Sequence, residues 1–444
     1  MAILTKDEAF ALLKKVLAYS KADECEVNLS GTDNGNVRYA RNSVTTSGRI
    51  SQSSLVVSSA FGKKLGVATI NEFDDASLEK VVRRAEELAR LAPENPEFMP
   101  FLGPQKYAEP ITYVPSTAAI TPKQRTDLVE QSLNVAKSSK AVAAGFLEDN
   151  AGFSAMMNSK GLFAYNTSTN TNFSVTVRTS DSLGSGYATR GYNDVTKLDT
   201  KSATQIATDK ALKSATAKAI EPGKYTVILE PAAAAVLMER IFFGLDARQA
   251  DEGRSFLSKP GGKTRLGEKL VDERVTLYSD PLNPELPTST WSGDGRPQEK
   301  VTWIDKGVVK NFSYSRYWAQ KQNARPIPAP DGMIMEGGTK SLEDLIKGTK
   351  KGILVTRLWY IRDVDPQSLL LTGLTRDGTF YIEDGKIQYP VKNFRFNESP
   401  VIMLNNLEEL GKPERTVSVE SNQNYLLPPM KIRDFTFTSL SDAV

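Results

Sequence analysis

The sequence predicts an α+β fold with two parts: an N-terminal α/β domain of antiparallel sheets with flanking helices, and a C-terminal, mainly-β barrel or sandwich domain. Three observations support this prediction. The composition, 40% apolar and 25% charged, is typical of globular proteins. Helical and strand patterns alternate up to about residue 220, and beyond it strands separated by glycine turns dominate. A length of 444 residues suits two or three domains.

The first domain, residues 1–220, is predicted to consist of two half-units with the same order of elements: a helix, several strands and a helix. In the first half-unit, Thr5 and Glu8 form a capping box at the start of a helix. The motif "DNG" at 33–35 predicts a hairpin turn between two short strands, because Asn and Gly tolerate positive φ. The prolines of residues 92–115 predict an irregular connector between the half-units.

The second half-unit is predicted to begin with a helix at Pro122, which Thr121 caps, and to end with a helix over 200–217. Between the two helices the pattern predicts four short strands, at about 141–148, 152–158, 162–168 and 171–179.

The second domain, residues 221–444, is predicted to begin with a buried strand followed by an apolar helix over 231–245. Pro231 suits the first helical position, because its φ is fixed and its missing N–H is not needed there. Further along, "IEDGKIQYP" predicts a hairpin with Asp384 and Gly385 at its tip. Frequent glycine turns between alternating strands favour a barrel or a sandwich.

The composition excludes several kinds of site. There is no histidine, and Cys25 is the one cysteine. Ser–His and Cys–His dyads are therefore excluded, as is a closed structural zinc site, which needs four Cys or His ligands. A net charge of +3 gives no basis for nucleic-acid binding, and no window reaches the roughly 18 apolar residues of a membrane-spanning helix. We expect a cytoplasmic protein that binds no nucleic acid, no membrane and no metal of its own.

An adjacent pair of charges, Glu239 and Arg240, interrupts the apolar helix over 231–245. Burying an unpaired charge costs several kcal/mol, so the pair is expected to face a cleft or a partner, or to remain from a former site. The alternative is that both residues pair with neighbours at the helix surface and have no further role, because structural ion pairs often resemble sites.

Segments throughout the chain carry a resemblance to a known family. The most specific is "GTFYIEDGKIQYPVKNFRFNES" at 378–399, with "RPQEKVTWIDKGVVKNFSYSRYWAQK" at 296–321 and "LLPPMKIRDFTF" at 426–437. These segments resemble the TldD/PmbA family, named in older usage modulators of DNA gyrase. The resemblance implies a cytosolic, two-subunit zinc metalloprotease. One kind of subunit carries an HExxxH motif on the helix that corresponds to the apolar helix over 231–245 of this chain. It also has a later cysteine ligand. The other kind, of PmbA or TldE type, lacks the metal ligands.

An ungapped placement puts this motif on residues 239–244. Glu239 and Gly244 then stand where the two histidines would be, and Arg240 stands where a glutamate would polarise water. The resemblance therefore implies a PmbA/TldE-type subunit with a degenerate motif, no catalytic residue and no metal. It implies that the partner is a homologous, HExxxH-bearing TldD-type subunit or a second copy of this chain. Zinc would lie in a partner subunit, and peptides or unfolded proteins would be the substrates.

Two other functions stay open at this point. The first is a homo-oligomeric peptide-binding or scaffold protein without catalysis. The second is a metal-independent hydrolase that uses carboxylates, lysine or tyrosine for acid–base chemistry.

Overall fold

The computed structural model describes residues 3–441. The helices of the N-terminal region are α1 (Lys6–Ala18), α2 (Asp75–Leu91), α3 (Pro115–Ala118), α4 (Pro122–Ser138) and α5 (Thr200–Ser214). Its strands are β1 (Glu24–Ala40), β2 (Ser43–Phe61), β3 (Lys64–Ile70), β4 (Val142–Asn158), β5 (Phe163–Arg178) and β6 (Ser185–Tyr192). A 3₁₀ turn, Val195–Lys197, precedes α5.

The C-terminal region contains short helices and many strands. The helices are α6 (Pro231–Phe243), α7 (Ala247–Asp251), α8 (Arg316–Gln322), α9 (Leu342–Lys347) and α10 (Pro400–Asn405). The strands are β7 (Gly223–Leu229), β8 (Ser258–Lys259), β9 (Lys263–Thr264), β10 (Leu277–Ser279), β11 (Val301–Asp305), β12 (Val308–Val309), β13 (Met333–Met335), β14 (Lys351–Asp365), β15 (Leu370–Glu383), β16 (Lys386–Pro390), β17 (Phe394–Glu398), β18 (Leu407–Leu410), β19 (Glu414–Val417), β20 (Asn424–Leu427) and β21 (Met430–Leu440).

The six N-terminal strands form one antiparallel sheet in the order β3-β2-β1-β4-β5-β6. Helices α1 and α2 flank β1–β3 in the chain, and α4 and α5 flank β4–β6. The two sets of strands meet where β1 pairs with β4. Alternate, odd-numbered residues of β1 and β4 face the helices: α1 and α2 cover one end of that face, and α4 and α5 cover the other.

The hairpin turn predicted at residues 33–35 is wrong. Strand β1 continues through these residues and pairs with both of its neighbours there. The turn between β1 and β2 lies instead at Arg41 and Asn42, whose φ angles of 51° and 59° are left-handed. The Asn42 side chain fixes this turn, since it donates to the Ala141 carbonyl and accepts from the Ala143 N–H, both at 2.7 Å.

Gly35 lies in mid-strand because a buried side chain crosses it. Arg125 of α4 forms a bidentate ion pair with Asp149 of β4, directly opposite Gly35 in the sheet. Both charged side chains are almost fully buried. A β-carbon at residue 35 would lie 1.8 Å from the Arg125 guanidinium. The glycine therefore makes room for an ion pair rather than for a turn.

The same ion pair explains a second error. The four short strands predicted between 141 and 179 are two long strands, β4 and β5. The break predicted between residues 148 and 152 is absent, because Asp149 is buried against Arg125 and pairs with Thr171 in the sheet. By contrast, the predicted helix starts are confirmed, with capping boxes at Thr5 and Thr121.

In the C-terminal region five strands close into a barrel. Around it, β14 pairs with β7, β7 with β21, β21 with β17, β17 with β15, and β15 with β14. Phe394 and Phe437 stack in its core with ring centroids 4.5 Å apart. The hairpin predicted at Asp384 and Gly385 joins β15 to β16, with left-handed φ angles of 48° and 75°. The predicted α+β fold class is confirmed.

A second C-terminal sheet, in the order β12-β11-β10-β13-β20-β19, lies between helix α6 and the N-terminal region. Its strands β19 and β20 contact α6, and β19 also contacts β6. Polar side chains connect the regions: Arg415 donates to Asn193 at 2.7 Å, and Asn424 donates to Asn172 at 3.3 Å. The domain division near residue 220 stays a prediction. Within residues 3–441 no helix has the length and apolarity to span a bilayer.

We predict that Gly35→Ala destabilises the protein by about 3 kcal/mol, the scale for disrupting a buried ion pair. The added methyl group must displace Arg125 from Asp149. The measurement is urea unfolding followed by circular dichroism. The matched control is Gly48→Ala on β2, where a β-carbon meets only the Asn36 amide at 3.7 Å. We expect it to change stability by less than about 0.5 kcal/mol. Equal effects of the two substitutions would contradict this account.

Candidate functional site

The candidate site lies on α6, which begins directly after barrel strand β7. Glu230 occupies the N-cap position and Pro231 the first turn, and the chain folds into a helix because four alanines, Leu237 and Met238, all strong helix formers, follow. The helix is buried on almost every side by the barrel and by the second sheet. It ends at Phe243, with Gly244 as the C-cap, two residues before the end predicted from the sequence.

Glu239 is buried, with 2% of its surface exposed, and both carboxylate oxygens are hydrogen-bonded. Tyr425 of β20 donates its hydroxyl to Oε1 at 2.7 Å, and Ser418 donates to Oε2 at 2.9 Å. Ser418 also accepts the main-chain N–H of Glu420, and so orders the turn that follows β19. Both oxygens of the buried carboxylate thus have hydrogen-bond donors within the protein, as buried polar groups require.

The hydroxyl of Tyr425 is held in its protonated form. Burial and the adjacent Glu239 carboxylate raise the pKa of Tyr425 far above its ordinary value. Because the hydroxyl keeps its proton throughout the physiological range, it remains a hydrogen-bond donor to Glu239. The ring of Tyr425 also packs edge-to-face against Phe242 of α6.

Arg240 extends in another direction and shares no contact with the Glu239 carboxylate. Its Nη1 lies 3.9 Å from Oδ2 of Asp363 on β14, and 28% of the side chain is exposed. The buried Nε has no hydrogen-bond partner among the described residues. The structure therefore separates the two adjacent charges: Glu239 faces inward, and Arg240 lies at the surface.

Gly244 has no space for a side chain. A β-carbon there would lie 2.5 Å from the Phe256 ring and 3.2 Å from the Arg240 carbonyl oxygen. The first distance is far below van der Waals contact, so a larger residue requires Phe256 to move.

The residues at the motif positions do not fit zinc. Zinc in proteins is held by Cys, His and carboxylate ligands, and this chain supplies neither histidine nor a cysteine other than the buried Cys25. The one carboxylate, that of Glu239, already accepts two hydroxyl donors. Among the described residues no group of three or more Asp, Glu, Cys or His side chains is arranged to hold a metal ion.

A polar cleft of about 250 Å³ lies next to this site, between the N-terminal sheet and the barrel. Ser418, whose hydroxyl binds Glu239, lines this cleft, and Glu239 does not. Glu148 of β4 lies in the cleft and accepts from Asn422 at 2.7 Å and from Asn172 at 3.2 Å. The cleft thus joins residues of both regions.

Arg357 of β14 forms the cationic part of this cleft. Its Nη1 donates to Asp377 at 2.8 Å, and its guanidinium lies 4.2 Å from the ring centroid of Tyr187. Asp377 also accepts from Ser185 at 2.6 Å. The sequence does not predict that these residues meet, because they lie on five strands and one turn that are far apart in the chain, and no local motif marks them. Asp377 has a left-handed φ of 58° and is followed by Gly378, so the Asp-Gly pair was the one local signal at this position.

The structure defines an α+β protein in which a strand of the C-terminal barrel leads directly into a buried helix. Three family models match, described as PmbA/TldA metallopeptidase domain 1 (residues 25–89), central domain (115–215) and C-terminal domain (222–439). The chain therefore belongs to the PmbA/TldD family.

Relatives and solved structures agree with this assignment. An uncharacterised protein of Methanocaldococcus jannaschii is 24% identical over 376 residues, which are 79% of this chain and 83% of the relative. Metalloprotease PmbA of Escherichia coli O157:H7 is 25% identical over 173 residues, 38% of this chain and 37% of its own. The crystal structure of TldE from Thermococcus kodakarensis superposes with a TM-score of 0.86 at 20% identity, covering 97% of this chain and all of that one. At this identity the structural likeness establishes a shared fold.

We predict that Glu239→His, Arg240→Glu and Gly244→His, combined in one variant, do not create a zinc site. A side chain at 244 collides with Phe256, and residues 3–441 hold no group of three or more ligating side chains to which the new histidines could be added. Metal analysis after dialysis against zinc is expected to find the same zinc content as in the unmodified chain treated in parallel. One zinc ion per variant chain would show that the motif positions can still assemble a site.

We also predict that Tyr425→Phe destabilises the protein by about 1–3 kcal/mol, because it leaves a buried carboxylate oxygen without a donor. Thermal unfolding measures the effect. The matched control is Tyr165→Phe: that hydroxyl donates to the carbonyl of Leu4, which is only partly buried and can bind water instead. A loss no larger than that of the control would mean that the contact with Glu239 contributes little.

Proposed function

We propose that this chain is the non-metal-binding, PmbA/TldE-type subunit of a TldD-family zinc metalloprotease complex. In this complex a homologous HExxxH-bearing subunit supplies zinc and the catalytic glutamate. This chain supplies architecture and part of the wall of the chamber in which peptides or unfolded proteins are cleaved. The complex is a dimer or larger assembly in the cytoplasm.

One observation carries the proposal: the residues at the motif positions, Glu239 and Gly244, make contacts inside the protein and leave no room for a metal ion. Glu239 is bound by Ser418 and Tyr425, and Gly244 is packed against Phe256. Such a site cannot activate water through a metal, although the strand–helix unit that would present the ligands is retained. A family member with this arrangement depends on another subunit for metal-based hydrolysis.

A second observation supports a role in peptide handling. The cleft beside α6 is lined by side chains of opposite charge, Glu148 and Arg357, and by hydroxyl and amide groups. The N–H and C=O groups of a peptide main chain can pair with carboxylate, guanidinium, hydroxyl and amide groups whatever the peptide's side chains are. This is what an unfolded substrate requires.

The test is to isolate this chain from its native cells with its binding partners and to identify them by mass spectrometry. We expect a near-stoichiometric homologue that carries HExxxH. The reconstituted pair is expected to cleave unfolded peptides, to lose activity with a chelator and to regain it with zinc. The control is a pair in which the glutamate of the partner's motif is replaced, which should assemble and remain inactive.

Other outcomes identify the alternatives. Full activity of this chain alone, insensitive to chelators, would indicate a metal-independent hydrolase. Isolation with itself only, and no activity, would indicate a homo-oligomeric peptide-binding or scaffold protein. Either result would overturn the proposed heteromeric protease.

A further inference from the structure

A larger cleft, of about 410 Å³, opens at the other end of α6. It lies between α5 and β6 of the N-terminal region and the barrel, α9 and β19 of the C-terminal region. Its volume is within the range of about 300–1,000 Å³ that is usual for sites that bind small molecules. Residues 230–232, where α6 begins, line it. At a rise of about 1.5 Å per residue, they lie roughly 10–20 Å from the motif positions.

The deep part of this cleft is apolar. Leu354 and Phe380 of the barrel are 3% and 1% exposed and form its base. Ile346 of α9, Ile387 of β16 and Ile206 of α5 extend the apolar surface to the rim, where the last two are 37% exposed. A surface of this kind releases water when an aliphatic or aromatic side chain covers it, which favours binding.

Charged groups surround the apolar surface, and the unpaired acidic and basic groups lie on opposite sides of the cleft. One pair is already neutralised: Lys210 lies 2.7 Å from Glu230, and both side chains are mostly buried. The C-terminal region contributes Glu343 and Glu414, and the N-terminal region contributes Arg190 and Lys213. Within residues 3–441, the side chains of Glu343, Glu414 and Lys213 form no hydrogen bond or ion pair with another side chain. The Arg190 guanidinium donates only to the main-chain carbonyl of Thr189.

The surroundings of Glu414 disfavour its charged form. Desolvation within the cleft raises its pKa, and the carboxylates of Glu230 and Glu343 add to the rise, while Arg190 and Lys412 oppose it. A cation bound between Glu343 and Glu414 would relieve this repulsion.

We propose that this cleft binds a short peptide with a free amino terminus and an apolar side chain. The ammonium group lies between Glu343 and Glu414, and the side chain packs on Leu354 and Phe380. A carboxylate at the other end of the ligand pairs with Arg190 and Lys213. The site belongs to this chain alone and is separate from the motif end of α6. The proposal rests on the proposed function only for its choice of a peptide as ligand.

The test uses the purified full chain and the tetrapeptide Leu-Ala-Gly-Ala in isothermal titration calorimetry. We expect binding that weakens about tenfold or more when the amino terminus is acetylated, because a charge-assisted hydrogen bond is lost. Glu414→Gln is expected to weaken binding of the free peptide to a similar degree and to leave binding of the acetylated peptide unchanged. The matched control is Glu94→Gln, an exposed glutamate in the connector.

A second pair of variants tests the apolar contact. Ile387→Ser at the rim of the cleft should weaken the free and the acetylated peptide alike, whereas Ile402→Ser, exposed on α10, should affect neither. Circular dichroism establishes that each variant is folded.

Two results would overturn the inference. One is the absence of binding up to millimolar peptide. The other is equal affinity for free and acetylated peptide together with no effect of Glu414→Gln. Neither result bears on whether a metal-bearing partner exists, so this inference and the proposed function can fail separately.

Discussion

The ion pair between Arg125 and Asp149 is the constraint on which the architecture depends. It connects α4 to β4 beneath the point where the two sets of strands meet, and Gly35 of β1 lies directly opposite Asp149. A buried pair of this kind adds little net stability, because desolvation offsets the attraction. It does select one register: a slip of β1 by one residue would place a side chain against the guanidinium, and a slip of β4 by one residue would turn Asp149 to the other face.

That register also determines what the opposite face of the sheet presents. Because side chains alternate along a strand, Glu148 points away from Asp149 and away from the helices. There it receives the amide of Asn422, from the turn that Ser418 orders. Ser418 in turn binds Glu239 of α6. A continuous set of polar contacts therefore leads from the N-terminal sheet to the buried carboxylate at the motif position.

The sequence predicted the elements well and their long-range relations poorly. Capping boxes, helix periodicity and the turn at Asp384 are local, and the structure confirms each of them. The hairpin predicted at 33–35 is wrong because the glycine at position 35 leaves space for the side chain of Arg125, ninety positions further along the chain. The adjacent charges of α6 were noticed, but their separation into a buried Glu239 and a surface Arg240 depends on strands far away in the sequence. The resemblance to a known family identified the family of the chain, which no local pattern could do.

The two ends of α6 are under different physical constraints. At its C-terminal end, neighbours enclose both the carboxylate of Glu239 and the position of a β-carbon at Gly244. A histidine at either position would therefore require Phe256 to move or would remove the carboxylate that accepts from Ser418 and Tyr425. At its N-terminal end, charges of both signs surround an apolar hollow that the protein itself does not fill. Close packing around Glu239 and Gly244 leaves no space for a ligand at the C-terminal end, whereas the cleft at the N-terminal end is open. Any capacity of this chain to bind a ligand is therefore more readily kept at the open end of the helix than at the motif.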